Sequence, residues 1–128
     1  MSDLVHMTSV VQAYIDGFAR ADAASIAALY ADDATVRDPA NSPPITGREA
    51  IHAFYARAMD KDIRLTLNGP VRIAGNVAAF AFRIDMKRDG KPATIDAIDT
   101  FEFTPDGLIT AMHAYWGPTN LQFIQEPK

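Results

Sequence analysis

The segment Ile95-Asp96-Ala97-Ile98-Asp99-Thr100-Phe101-Glu102-Phe103 has the two-residue period of a β-strand and separates into two unlike faces. One face carries Ile95, Ala97, Asp99, Phe101 and Phe103; the other carries Asp96, Ile98, Thr100 and Glu102. Asp99 therefore sits in the middle of an apolar face. Burial disfavours a carboxylate, so the pKa of such a group rises, and the neutral acid becomes a hydrogen-bond donor. The alternative is a buried Asp paired with an Arg or with backbone amides, the commoner fate of a lone buried acid. The strand alone favours that alternative, and the rest of the chain must decide between the two.

Before this strand the pattern is helical. Met7, Val10, Val11, Tyr14 and Phe18 fall on one face of a helix over residues 4–19. Tyr14 lies inside that stripe, where a buried phenol needs a hydrogen-bond partner. A second helix is predicted over residues 23–31, with Ile26, Leu29 and Tyr30 facing inward. Ala34-Thr35-Val36-Arg37-Asp38-Pro39 reads as a short strand entering a loop. Pro39 forces Asp38 into an extended conformation, and Asp38 shares strand parity with the apolar Val36. Its alternative is a solvated turn residue. Thr46-Gly47-Arg48-Glu49 has the form of a capping box and predicts a third helix to about Met59, with Ile51, Phe54, Tyr55 and Ala58 inward.

After Gly69-Pro70 the chain is strand-like. Residues 77–87 put Phe80, Phe82, Ile84 and Met86 on one face, and Asp89-Gly90 predicts a hairpin into the Asp99 strand. Pro105-Asp106-Gly107 predicts the next turn. The last strand alternates Leu108, Met112, Ala114 and Trp116 against Ile109, Ala111, His113 and Tyr115. Three N-terminal helices followed by an antiparallel meander predict a single α+β domain over residues 1–128, with the helices packed on one face of a curved, mostly antiparallel sheet. Phe54, Phe82, Ile84, Met86, Phe101, Met112 and Trp116 then form an aromatic, apolar wall suited to a large, flat ligand. The sheet's other face offers Val77, Ala79, Ala81, Ile98 and Tyr115 with no helix left to cover it, so a homodimer is expected.

Composition narrows the function classes. Twelve basic against sixteen acidic residues give a net charge of −4, with no Lys/Arg cluster, which disfavours nucleic acid. There is no cysteine, so thiol catalysis and thiolate metal sites are excluded. His6, His52 and His113 show no metal-ligand spacing, and no metal is expected. The chain has neither a signal-peptide pattern nor an apolar run of membrane-spanning length, so a cytoplasmic protein with no membrane association is expected.

Five stretches carry a resemblance that spans nearly the whole chain. They are Val10-Val11-Gln12-Ala13-Tyr14, the run from Tyr30 to Pro39, Gly47-Arg48-Glu49 leading to Phe54-Tyr55, Ile98-Asp99, and Ala114-Tyr115-Trp116. Through them the chain resembles the bacterial Δ5-3-ketosteroid isomerases, whose cone-shaped fold is shared with nuclear transport factor 2 and scytalone dehydratase. The resemblance implies that Asp38 is a general base moving a proton from C4 to C6 of a 3-oxo-Δ5-steroid. It implies that Tyr14 and a neutral Asp99 donate to the dienolate oxygen at C3, and that no cofactor is used. Ketosteroid isomerase is itself the established case of an Asp base beside an oxyanion hole of Tyr and protonated Asp, so the reading of Asp99 agrees with a known example. Tyr30 and Tyr55 resemble the family's support network behind Tyr14, although members differ at the position of Tyr30. The alternatives are a polyketide cyclase-like or other lipophilic-ligand enzyme of the same fold, and a non-catalytic apolar-ligand carrier.

Overall fold

The computed structural model describes residues 3–59 and 62–124. Helices α1 (Leu4–Ala19), α2 (Ala23–Ala27) and α3 (Arg48–Ala58) accompany β1 (Tyr30–Arg37) and β2 (Ile45–Thr46). There follow β3 (Arg64–Leu67), β4 (Arg72–Ala74), β5 (Val77–Arg88), β6 (Lys91–Phe103), β7 (Ile109–Tyr115) and β8 (Leu121–Phe123). The strands form one sheet in the order β2-β1-β7-β6-β5-β3, with β4 added to β5 and β8 to β6. All pairings are antiparallel except β1 with β7. The α+β architecture, with helices on a curved and mostly antiparallel sheet, is as expected.

Helices α1 and α2 each begin where a side chain satisfies a free amide. The Asp3 carboxylate accepts from the Val5 amide, and Asp22 accepts from that of Ser25. The α1 stripe is buried as its period requires, through Met7, Val10, Val11, Tyr14 and Phe18. Two starts or ends differ from the sequence reading. Helix α2 stops at Ala27, and Tyr30 opens β1 instead, still fully buried. Pairing with β7 captures it: the Ile109 amide donates to Leu29, and Tyr30 is in register with Ile109. At α3 the capping box does not form. Gly47 is the N-cap, with φ 94° and no side-chain cap, while Thr46 belongs to β2. A φ of that sign is open to Gly and costly for other residues.

The Asp89-Gly90 hairpin forms with φ of 54° and 77°, the positive pair a two-residue turn needs. It pairs β5 with β6 over their full length, from Val77↔Glu102 to Arg88↔Lys91. Between β6 and β7 the register slips from Glu102↔Ala111 to Phe103↔Ile109, so Thr110 is an extra residue and the strand is bulged. The bulge turns Ile109 into the core at 0% exposure, against the outward placement that strict alternation gave it. Beyond the bulge Met112 and Ala114 face inward as alternation requires.

Candidate active site

Asp99 lies in mid-sheet between two apolar neighbours, in register with Phe80 of β5 and Ala114 of β7. It is 1% exposed, and its Oδ1 has no hydrogen-bond partner among the described residues. The paired alternative for this acid therefore does not hold on that oxygen. Burial first, and then the charge of Asp38, push the Asp99 carboxyl well above the usual carboxylate range, while the Tyr14 hydroxyl acts in the opposite direction. The shift favours the neutral carboxyl, the form of the group that can donate a hydrogen bond.

Asp38 stands just past the end of β1, before a cis peptide bond to Pro39. The parallel pairing of β1 with β7 runs to Arg37↔His113, and the Ala40 amide then donates to the Ala114 carbonyl over 2.7 Å. The loop bearing Asp38 is thus fastened to the residue directly opposite Asp99. The Trp116 indole N–H donates to Asp38 Oδ1 at 2.7 Å. Burial raises the Asp38 pKa and this hydrogen bond holds it down, so the net rise is milder in cause than at Asp99. The solvated-turn alternative for Asp38 does not hold.

Tyr14 approaches from α1. Its ring meets those of Phe18, Tyr55, Phe80 and Phe101 edge-on, with centroids 5.1–6.1 Å apart. The Tyr55 hydroxyl donates to that of Tyr14 at 3.3 Å, and Tyr30 and Tyr55 share a contact of 2.6 Å. Tyr55 has a single proton and gives it to Tyr14, so Tyr30 must donate to Tyr55. The chain Tyr30 to Tyr55 to Tyr14 leaves Tyr14's own proton uncommitted by the phenols. Burial is the main reason all three phenols are raised well above their ordinary value and stay neutral.

Tyr14, Asp38, Tyr55 and Asp99 line one cavity of about 150 Å³. Its apolar wall comprises Phe18, Phe54, Ala58, Ile63, Leu65, Phe82, Ile84, Met86, Ile95, Ala97, Ala114 and Trp116. Of the residues expected in the wall, Phe54, Phe82, Ile84, Met86 and Trp116 line it. Phe101 and Met112 do not: both are 0% exposed in the core, Phe101 edge-on to the Tyr14 ring. They are on the expected face but sealed in the core cluster. The sequence reading missed Ile63 and Leu65, although Ile63, Leu65 and Leu67 alternate with Arg64 and Thr66 in a legible strand pattern. Phe18, legible only as part of the helix stripe, also reaches the cavity.

The arrangement sets the partly buried Asp38 carboxyl in the same apolar pocket as the buried Tyr14 hydroxyl and the buried Asp99 carboxyl, whose shift favours the protonated form. Such a set can remove a proton next to a carbonyl while hydrogen bonds stabilise the resulting enolate.

The SnoaL-like domain family matches residues 11–112. A steroid Delta-isomerase from Nocardioides simplex is 36% identical over 113 residues, covering 88% of this chain and 91% of that protein. Among solved structures, SalBIII, an epoxide hydrolase/cyclase-like enzyme of pyran ring formation in the polyether salinomycin, superposes with a TM-score of 0.88 at 23% identity. That alignment covers 97% of this chain and 100% of SalBIII, and at such identity it speaks to the fold alone.

Proposed function

The chain belongs to the SnoaL-like family, and on that premise we propose that it is a steroid Δ-isomerase, converting a 3-oxo-Δ5-steroid to the conjugated Δ4 ketone. One observation carries the proposal: Asp38, Asp99 and Tyr14 border a single apolar cavity, with Asp99 Oδ1 buried and unpartnered among the described residues. A carrier of apolar ligands gains nothing from two acids in its wall.

In the proposed reaction Asp38 takes a proton from C4, which is acidified by the C3 ketone and the 5,6 double bond. Negative charge gathers on the C3 oxygen as the dienolate forms. Tyr14 and neutral Asp99 donate to that oxygen, and their bonds strengthen as the charge develops. Asp38 then returns the proton to C6. One carboxyl serves as base and acid in turn; burial raises its pKa and the Trp116 hydrogen bond opposes that rise, which suits both roles. The ring system lies along Phe82, Ile84, Met86 and Trp116. A homodimer through the outer sheet face completes the proposal. Ile98 and Tyr115 are in register there and are 48% and 52% exposed.

The test is the growth of enone ultraviolet absorbance when the protein meets a Δ5-3-ketosteroid. Catalysed growth that Asp38→Asn abolishes supports the reading. No growth above the buffer rate with intact, folded protein overturns it.

A further inference from the structure

We propose that Arg48, remote from the reacting atoms, is a positioning residue that sets the geometry of the Tyr30–Tyr55–Tyr14 hydrogen-bond chain. Residue Tyr30 is where β1 begins, and the ladder with β7 breaks directly after it, resuming only at Thr35. A break of this kind leaves backbone groups without ladder partners. The Arg48 guanidinium fills that gap. Its Nε donates to the Tyr30 carbonyl at 3.0 Å, its Nη2 donates to the same oxygen, and its Nη1 pairs with Asp32 Oδ1 at 2.8 Å. One planar group thus grips the strand at two points flanking Ala31. A guanidinium can do this because its donors form a fixed fork.

The same two elements meet again through their phenols. Arg48 is in the first turn of α3, and Tyr55 is two turns further along the same helix. Tyr30 projects from the gripped strand residue to a 2.6 Å contact with Tyr55, and Tyr55 donates onward to Tyr14. The strand and the helix are therefore joined at both ends of a short lever: by Arg48 at the backbone and by the two hydroxyls in the core. Releasing the backbone end lets Tyr30 drift. Tyr55 then loses a donor, and Tyr14 loses the polarisation passed along the chain. The salt bridge itself is peripheral, since Asp32 is an exposed side chain.

The proposal draws on the isomerase reading for its kinetic arm only. Tyrosines labelled with ¹³C at the ζ carbon report hydroxyl hydrogen bonding in the ligand-free protein, and the chain has four of them. Tyr115, half exposed on the far face of the sheet, is the internal control. Assignments come from the single Tyr→Phe variants. Arg48→Met should move the Tyr30, Tyr55 and Tyr14 signals and leave Tyr115 in place, with Arg48→Lys moving them less. Unmoved Tyr55 and Tyr14 signals, or an equal shift of Tyr115, overturn the proposal.

In turnover, Arg48→Met should lower kcat roughly three- to tenfold with KM nearly unchanged, and adding Tyr30→Phe should lower it no further. Losses that multiply in the double variant overturn the proposal, because they place Arg48 outside the chain. If the wild type forms no enone, the isomerase reading falls, and the tyrosine signals still decide the role of Arg48.

Discussion

The indole N–H of Trp116 donates to Oδ1 of Asp38 across 2.7 Å, so the aromatic wall of the cavity also holds the candidate base. The two residues lie 78 positions apart in the chain and meet because β1 and β7 run parallel, delivering both at the same end of the sheet.

Trp116→Phe keeps the aromatic wall and removes the donor. The hydrogen bond favours the carboxylate, so its loss raises the Asp38 pKa further. The acid limb of kcat/KM should move to higher pH, and the plateau should fall by less than about tenfold because the base remains. A pH–rate profile checks this. An unmoved acid limb contradicts it.

Asp38→Asn keeps the shape of the loop and cannot accept the C4 proton. Turnover should fall by at least the upper end of the ~10²–10⁴ usual for a general base, with steroid affinity retained. Calorimetric binding beside the enone assay separates the two effects. Near wild-type turnover would assign the base to another residue.

Tyr14→Phe preserves the edge-on ring contacts and deletes one donor to the dienolate. The expected loss is roughly 10²–10³ in kcat, with little change in affinity, because the ground-state ketone is the weaker acceptor. Weakened binding with kcat intact would make Tyr14 a ligand contact and not an oxyanion donor.

The uncovered sheet face predicts a homodimer. Light scattering should give twice the chain mass at micromolar concentration, and Ile98→Glu, which buries a charge in the contact, should give the monomer mass. A wild-type monomer at that concentration contradicts the dimer.

The residues show why some of this was legible in the sequence and some was not. Strand period specifies a face, so Asp99, Phe82, Ile84, Met86 and Trp116 could all be placed on the inner side of the sheet. Period says nothing about which end of that face the helices cover. Along β6, Ile95, Ala97 and Asp99 border the cavity while Phe101 and Phe103 are sealed in the core. The same division separates Ala114 from Met112 on β7 and Phe82 from Phe80 on β5. Strand period alone therefore cannot tell Phe101 and Met112 from true wall residues. Tyr30 was legible as inward but not as a strand residue, since four or five residues of apolar pattern fit either element and long-range pairing with β7 decided. Ile109 was misplaced because a bulge adds one residue that alternation cannot foresee. The meeting of Asp38 with Trp116 depends on the parallel β1–β7 pair, which no local pattern announces.

The protonation state of Asp99 bears most directly on how the site works. Its folded pKa is raised above the unfolded one, so proton binding favours the folded state. The resulting stability is fully present below the unfolded carboxylate value and is lost as pH rises through the folded value. Asp99→Asn removes that dependence and should be the more stable protein at neutral pH. It should also retain substantial activity as a weaker donor, with Asp99→Ala and Asp99→Leu losing more. Infrared difference spectroscopy of wild type against Asp99→Asn measures the group itself. The expected result is a protonated carboxyl band at pH 7 that disappears in the variant. A carboxylate band in its place, with faster turnover in Asp99→Ala, would contradict the donor role.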